Sequence, residues 1–194
     1  MRAASRKYAG VVGNAVIATV AVGLVAGCGG AVGGESASEG PSTTTGEPHV
    51  EWNPCSELAA EALQATGARP ESEHTSFDAP GDRAAVRMCA WDSADGRPYF
   101  IGVGSFIFTL DEFRQNDQVT GFAEIQINDR SGLTFYPSSN EKPLRRCYVG
   151  LPMAKGGIMI YADWRYSHRD SLPESPPCGL AVQHAQSLEP YLPE

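Results

Sequence analysis

The sequence predicts an α+β domain in which an antiparallel β-sheet carries N- and C-terminal helices on one face, stapled by two disulfides. Three observations predict it. Apolar stripes at helical spacing bracket the domain, at Leu58, Ala59, Ala62 and Leu63 and again at Ala181, Ala185 and Leu188. Between them lie short segments of strand character separated by turn residues. Four cysteines, Cys55, Cys89, Cys147 and Cys178, complete the pattern.

The residues ahead of the domain read as a targeting segment. Arg2, Arg6 and Lys7 form a positive start, and Val11 to Val25 carries no charge. Leu24-Val25-Ala26-Gly27-Cys28 then places a cysteine where an ordinary signal peptide has only small residues. Cleavage before Cys28 with acylation of its thiol explains that placement. The rival is an uncleaved membrane span, since Tyr8 to Gly27 approaches the roughly 17–25 residues a span needs. Gly10, Gly13, Asn14, Thr19 and Gly23 make it a weak one. Both readings keep the positive residues inside and export everything after Cys28. The expected organisation is a lipoprotein signal peptide over 1–27, a tether over 28–50 and one domain over 51–194. The expected place of work is the extracytoplasmic face of the cell membrane, held there by the lipid anchor.

Gly29 to Glu47 is Gly/Ser/Thr-rich and buries too little apolar surface to offset the entropy of ordering it. As a flexible coil such a tether reaches about 25 Å. The whole chain carries a formal charge of −8, and loss of the three cations in 1–27 leaves the remainder more acidic still. With no basic stripe to displace counterions from phosphates, nucleic acid is excluded as a partner.

The elements follow in order. Asn53-Pro54-Cys55-Ser56 leads into a helix from Glu57 to Leu63, with Ser56 as its N-cap and Gly67 near its C-terminal cap. Ala84–Trp91 and Tyr99–Phe108 form a hairpin about Asp95-Gly96. Thr109-Leu110-Asp111-Glu112 is a capping box opening a short helix that runs to Gln118. Phe122–Ile127 and Leu133–Tyr136 are two further strands. Arg146–Leu151 and Gly157–Trp164 make a second hairpin around Pro152–Gly156. In its second strand Ile158, Ile160 and Ala162 alternate with Met159, Tyr161 and Asp163, a period of two that predicts a half-buried strand. Gly179–Glu189 is the last helix, stopped by Pro190, with His184 expected on its polar side.

An even number of cysteines in an exported domain reads as disulfides, and the spacing of a zinc site is absent. Pairing neighbours in the chain gives Cys55–Cys89 and Cys147–Cys178, among three connectivities that four cysteines allow. Each bridge would tie the start of a terminal helix to a strand.

Three local patterns stand together: Asn53-Pro54-Cys55 opening a helix, Cys89-Ala90-Trp91 in a strand, and Cys178-x-x-Ala181-x-x-x-Ala185-x-x-Leu188 ending in Leu192-Pro193. With the Cys28 motif and the low-complexity tether, the chain resembles an actinobacterial envelope lipoprotein family that carries a domain of unknown function. The resemblance covers Trp52 to the C-terminus. It implies an exported lipoprotein with an α+β domain and implies no activity. Asn53 stands where aspartate is common in that family, which keeps a cap or turn role intact.

No catalytic set emerges from the residues. Gly102-Val103-Gly104-Ser105 lacks the third glycine of a dinucleotide loop and the G-x-S-x-G order of a nucleophile elbow. His168 has Asp170 nearby, the minimum for a base and its orienter, yet a triad is assembled across a fold rather than along it. Asp95 serves a turn, and Asp111 and Glu112 suit a helix N-terminus. A calcium loop is excluded by spacing. The aromatics are the richer signal: they cluster in the strands, and those on one sheet face would line an apolar cleft. Tyr161, Trp164 and Tyr166 are the expected ligand-facing aromatics, with Arg146 and its neighbour Arg145 supplying charge for an acidic group. The function expected is a non-enzymatic binding module, without metal or cofactor, for an envelope protein or a small apolar ligand. An envelope hydrolase with an unrecognised site is the alternative.

Overall fold

The computed structural model describes residues 48–75, 78 and 84–194. Cys28, the segment 1–27 and nearly all of 28–50 lie outside the described residues.

Asn53 caps the first helix, because its Oδ1 accepts from the Cys55 N–H at 3.0 Å while Glu57 Oε1 accepts from the Asn53 N–H at 2.7 Å. That reciprocal arrangement starts the helix at Pro54, one turn ahead of the expected Ser56 cap. The helix is also split. α1 (Pro54–Glu57) and α2 (Ala60–Ala65) are separated by extended backbone at Leu58 and Ala59, and Leu58, Ala62 and Leu63 are all buried. Gly67, at φ +78°, ends α2 in the left-handed region that glycine adopts without penalty.

Six antiparallel strands follow: β1 (Val86–Asp92), β2 (Tyr99–Phe106), β3 (Val119–Ile127), β4 (Arg130–Pro137), β5 (Arg146–Pro152) and β6 (Gly157–Trp164). They lie in one sheet in the order β1-β2-β6-β5-β4-β3. Both expected hairpins form, the first turning at Gly96 and the second registering Arg146 on Asp163 and Pro152 on Gly157. α3 (Leu110–Phe113) is opened by the Thr109–Glu112 capping box. It stops well short of Gln118, because Asn116 turns the chain by accepting from the Gln118 N–H at 2.9 Å.

One sheet face packs against the helices. Trp91, Tyr99, Ile101, Val103, Ile158, Ile160, Trp164, Val149 and Leu151 form the main core with Leu63, Ala181, Ala185 and Leu188. The last helix, α4 (Cys178–Leu188), contacts β5 and β6 on this face. The opposite face carries a smaller cluster, in which Phe106, Leu133, Phe135 and Met159 pack against Leu110 and Phe113. The reason is topological: β2 and β3 are distant in the sheet, so the connection between them crosses this face and brings α3 with it. All eight residues of β6 are therefore buried. The half-buried expectation for this strand does not hold, since the strand is central and covered on both sides.

The pairing expected from chain proximity forms. Cys55 bonds Cys89, with Cα atoms 5.4 Å apart, and Cys147 bonds Cys178, with Cα atoms 5.0 Å apart. The first bridge ties α1 to β1, and the second ties the first residue of α4 to β5.

Candidate functional site

The antiparallel register sets four residues in a row across one end of the sheet. Asp92 of β1 opposes Phe100 of β2, which opposes Asp163 of β6, which opposes Arg146 of β5. Directly opposed residues share a face, so this row lies on the side away from the helices. Four arginines gather around its two aspartates, Arg69 and Arg165 at Asp92 and Arg145 and Arg146 at Asp163.

Asp92 is the first centre. It accepts from Arg69 at 2.6 Å and from Arg165, and His74 Nε2 stands 3.4 Å from it. The Ser72 hydroxyl accepts from the Asp92 N–H at 2.9 Å. Partial burial alone would raise the Asp92 pKa, but the Arg165 charge and the hydrogen bonds from His74 and Arg69 outweigh it and lower it. Arg165 also lies over the Phe100 ring, 4.2 Å from its centre, and His74 meets the same ring edge-on at 5.0 Å.

Asp163 is the second centre. It is buried, pairs with Arg146, and has Arg145 Nη1 at 3.5 Å. Arg146 spans outward, donating to the Tyr148 hydroxyl at 3.3 Å and lying 5.5 Å over the Tyr161 ring. Burial would lower the Arg146 pKa; its hydrogen bond to Asp163 wins and raises it. Arg145 donates to the Trp164 carbonyl at 2.7 Å and faces Glu141 at 3.7 Å. It also reaches over Tyr166, whose ring centre is 5.3 Å from the Arg145 guanidinium and 4.6 Å from that of Arg169. A pocket of about 200 Å³ opens beside this group, walled by Pro137, Pro143 and Leu144, with Arg145, Arg146 and Asp163 in its lining. A larger, shallower groove of about 500 Å³ lies elsewhere, between α3 and the β3–β4 hairpin.

The expected ligand-facing residues divide here. Tyr166 is 58% exposed and Arg146 lines the pocket. Tyr161 and Trp164 are 3% and 4% exposed, so neither presents a face to a ligand. Tyr161 lies across Gly102, where an added Cβ would sit 1.8 Å from the ring, and burial raises its pKa. Trp164 points to the opposite face, stacked on Tyr99 with centres 5.7 Å apart and donating to the His168 carbonyl at 2.9 Å. Asp92, Phe100, Arg69 and Arg165 come from separate segments: strand register sets Asp92 beside Phe100, while side-chain pairing brings Arg69 and Arg165 to Asp92, a juxtaposition that no local pattern signals.

A second polar group is buried under the helices. His184 lies on the covered side of α4, contrary to its expected polar placement, because α4 packs on the end of α2 and on Tyr99. Its Nδ1 is 3.0 Å from the Thr66 carbonyl and 2.9 Å from the Thr66 hydroxyl, and its Nε2 is 3.0 Å from the Tyr99 hydroxyl. A carbonyl only accepts, so Nδ1 carries the proton and Nε2 accepts from Tyr99. Burial depresses its pKa to about 4. Nothing here opens to solvent, and the group joins three elements rather than serving a reaction.

His168 is exposed, and the Ser167 hydroxyl stands 2.9 Å from its Nδ1. A nucleophile and base are thus within reach, without a carboxylate hydrogen-bonded to the imidazole among the described residues. Among those residues no group of three or more His, Cys, Asp or Glu side chains is placed to hold a metal ion, and no helix is long and apolar enough to cross a membrane.

A family model described as protein of unknown function (DUF3558) matches residues 23–191. The chain belongs to the DUF3558 family. The match includes both disulfides, the whole sheet and the arginine-rich end, so these are parts of the DUF3558 domain itself. No curated protein and no solved structure matches the chain.

Proposed function

We propose that this DUF3558 protein is a lipid-anchored, non-enzymatic binding module on the outer face of the membrane, with the arginine-rich end of the sheet as its binding surface. The observation that carries the binding reading is the convergence of Arg69, Arg145, Arg146, Arg165 and Arg169 on Asp92, Asp163 and Tyr166 in a chain of net charge −8. Guanidinium donors remain after both aspartates are paired: Arg69 and Arg165 keep 47% and 38% of their side-chain surface exposed, and Arg145 and Arg146 line the pocket. Two disulfides support an oxidising compartment. The anchor rests on Leu24-Val25-Ala26-Gly27-Cys28.

Metabolic labelling tests the anchor. Radiolabelled palmitate appears on the mature wild-type protein and is lost in Cys28→Ser; a label absent from both removes the anchor. The hydrolase alternative draws on the Ser167–His168 contact alone. Ester or amide hydrolysis abolished by Ser167→Ala would replace the binding reading.

A further inference from the structure

The sheet has two edges, and the chain treats them differently. Along β1 the outward N–H groups of Met88, Ala90 and Asp92 all find partners within the domain. They donate to the Asp78 carboxylate at 3.2 Å, to the His74 carbonyl at 3.1 Å and to the Ser72 hydroxyl at 2.9 Å. The Ala90 and Asp92 carbonyls accept in turn from the His74 and Arg69 N–H groups. β3, at the other edge, has no such cover among the described residues. The two-residue turn at Asn128-Asp129 closes the β3–β4 hairpin on Ile127 and Arg130. That pair, Ile125–Gly132 and Ala123–Thr134 therefore exchange the ladder hydrogen bonds. The backbone groups of Glu124 and Gln126 point away from β4, and both residues are exposed.

We propose that this edge binds an extended, basic segment of a partner protein, which adds to the sheet as a further strand.

An added strand has a place for its side chains. Glu124 and Gln126 oppose Leu133 and Ser131 of β4, and Leu133 packs in the cluster on the α3 face. On that face the groove of about 500 Å³ runs between α3 and the hairpin, with Leu110 and Leu133 in its lining. Alternate side chains of the partner reach this groove. Those between them lie beside Ile125, which packs on the main core.

Charge selects the occupant. The Asp111 and Glu124 side chains on the groove are 95% and 90% exposed, and Asp117 and Asp129 flank the strand. Against these stands Arg114, over the Phe122 ring, 3.8 Å from Asp111 and 3.9 Å from Glu124. Neither distance is a hydrogen bond. Arg130 is held by Glu189 and the Pro193 carbonyl, and Glu112 by its own capping box. A second copy of the chain would set this acidic flank against itself, and an acidic segment would meet the same repulsion. Lysine or arginine at alternate positions meets Glu124 and Asp111 instead.

The test is fluorescence anisotropy of a labelled Lys-Val-Lys-Val-Lys peptide titrated with the full chain. Saturable binding is expected, and a peptide of equal charge with alternate amides N-methylated should lose it, because strand addition needs those N–H groups. Glu124→Gln should weaken binding about threefold, the scale of one exposed ion pair. Gln126→Pro removes an outward N–H while leaving the bonds to β4, and should weaken binding about tenfold. Glu71→Gln, an equal charge change beside the β1 edge, should leave it unaltered. Equal binding of the N-methylated peptide, or equal loss in Glu71→Gln, means diffuse charge attraction and overturns the proposal. So does a dimer in sedimentation that Gln126→Pro dissolves, since a second copy would then cover the edge. The N-methylated peptide keeps the test sound if Gln126→Pro folds poorly. Cys28 and the arginine-rich end take no part in this measurement, so its failure leaves those readings untouched.

Discussion

His184 illustrates how one buried side chain couples stability to pH. The imidazole is neutral in the folded protein, with Nδ1–H given to the Thr66 carbonyl and Nε2 accepting from Tyr99, which itself accepts from Arg97 Nη2 at 3.3 Å. Protonation would put a second proton on Nε2 and turn Tyr99 from donor to acceptor. The hydroxyl would then face two donors with its own hydrogen displaced. The folded pKa of about 4 lies below the unfolded value of about 6.5. The unfolded chain thus binds the proton first, and stability falls as pH drops through about 6.5 and levels off near the folded value. The full effect is about 3 kcal/mol. Denaturant unfolding between pH 7 and pH 4 should show this slope in the wild type and a flatter one in His184→Gln. Equal slopes in both would remove His184 as the cause. Asp95 acts in a separate window. Its burial raises the pKa, but hydrogen bonds from Ser93 and Arg97 and the Arg97 charge override that and lower it to about 2, so its stabilisation is lost only below about pH 4.

At the level of elements, short helices are held by covalent and packing ties rather than by propensity. α1 has four residues and α2 six, far below the length at which a helix persists alone. The Cys55–Cys89 bridge and the burial of Leu58, Ala62 and Leu63 fix them on the sheet. α4 is longer, and its first residue is bonded to β5. The Cys147–Cys178 bridge closes a sequence separation of 31, worth roughly 3–4 kcal/mol. Replacing both cysteines by serine should lower stability by that amount. Amide exchange should quicken in the first turn of α4 before it does in β6, which is buried on both faces. Uniform loss of protection would mean that the bridge stabilises the domain as a unit rather than the helix start.

For the whole molecule, stability and polarity have separate origins. A domain of this size has about 5–15 kcal/mol in hand, so two bridges of roughly 3–4 kcal/mol each account for a large share of it. Full reduction at 37 °C should therefore abolish most of the near-ultraviolet circular dichroism contributed by Trp91, Tyr99 and Trp164. A spectrum unchanged by reduction would place the stability in the apolar cores alone. Polarity comes from the sheet: its two ends carry the chain entry and the arginine row, and strand length sets the distance between them.

The amino-acid sequence by itself determined the elements that local chemistry dictates. The second hairpin strand at Gly157–Trp164, the turn at Asp95-Gly96, the Thr109–Glu112 capping box and the pairing of near cysteines all follow from interactions within a few residues or from short loop closure. Tertiary structure decided which faces are covered. The path from β2 to the far-edge strand β3 placed α3 on the second face, and on that same face Tyr161 is buried, against its alternation pattern, by lying across Gly102 beside Tyr148 and Arg146. Helix packing likewise turned Trp164 and His184 inward. It also decided the arginine row, because strand register aligns Asp92, Asp163 and Arg146 across the sheet, and the segments beside it bring Arg69 and Arg165 to Asp92. Local patterns report what a segment favours; which side chains meet across a sheet depends on order and register, and those are fixed by the packing of the whole domain.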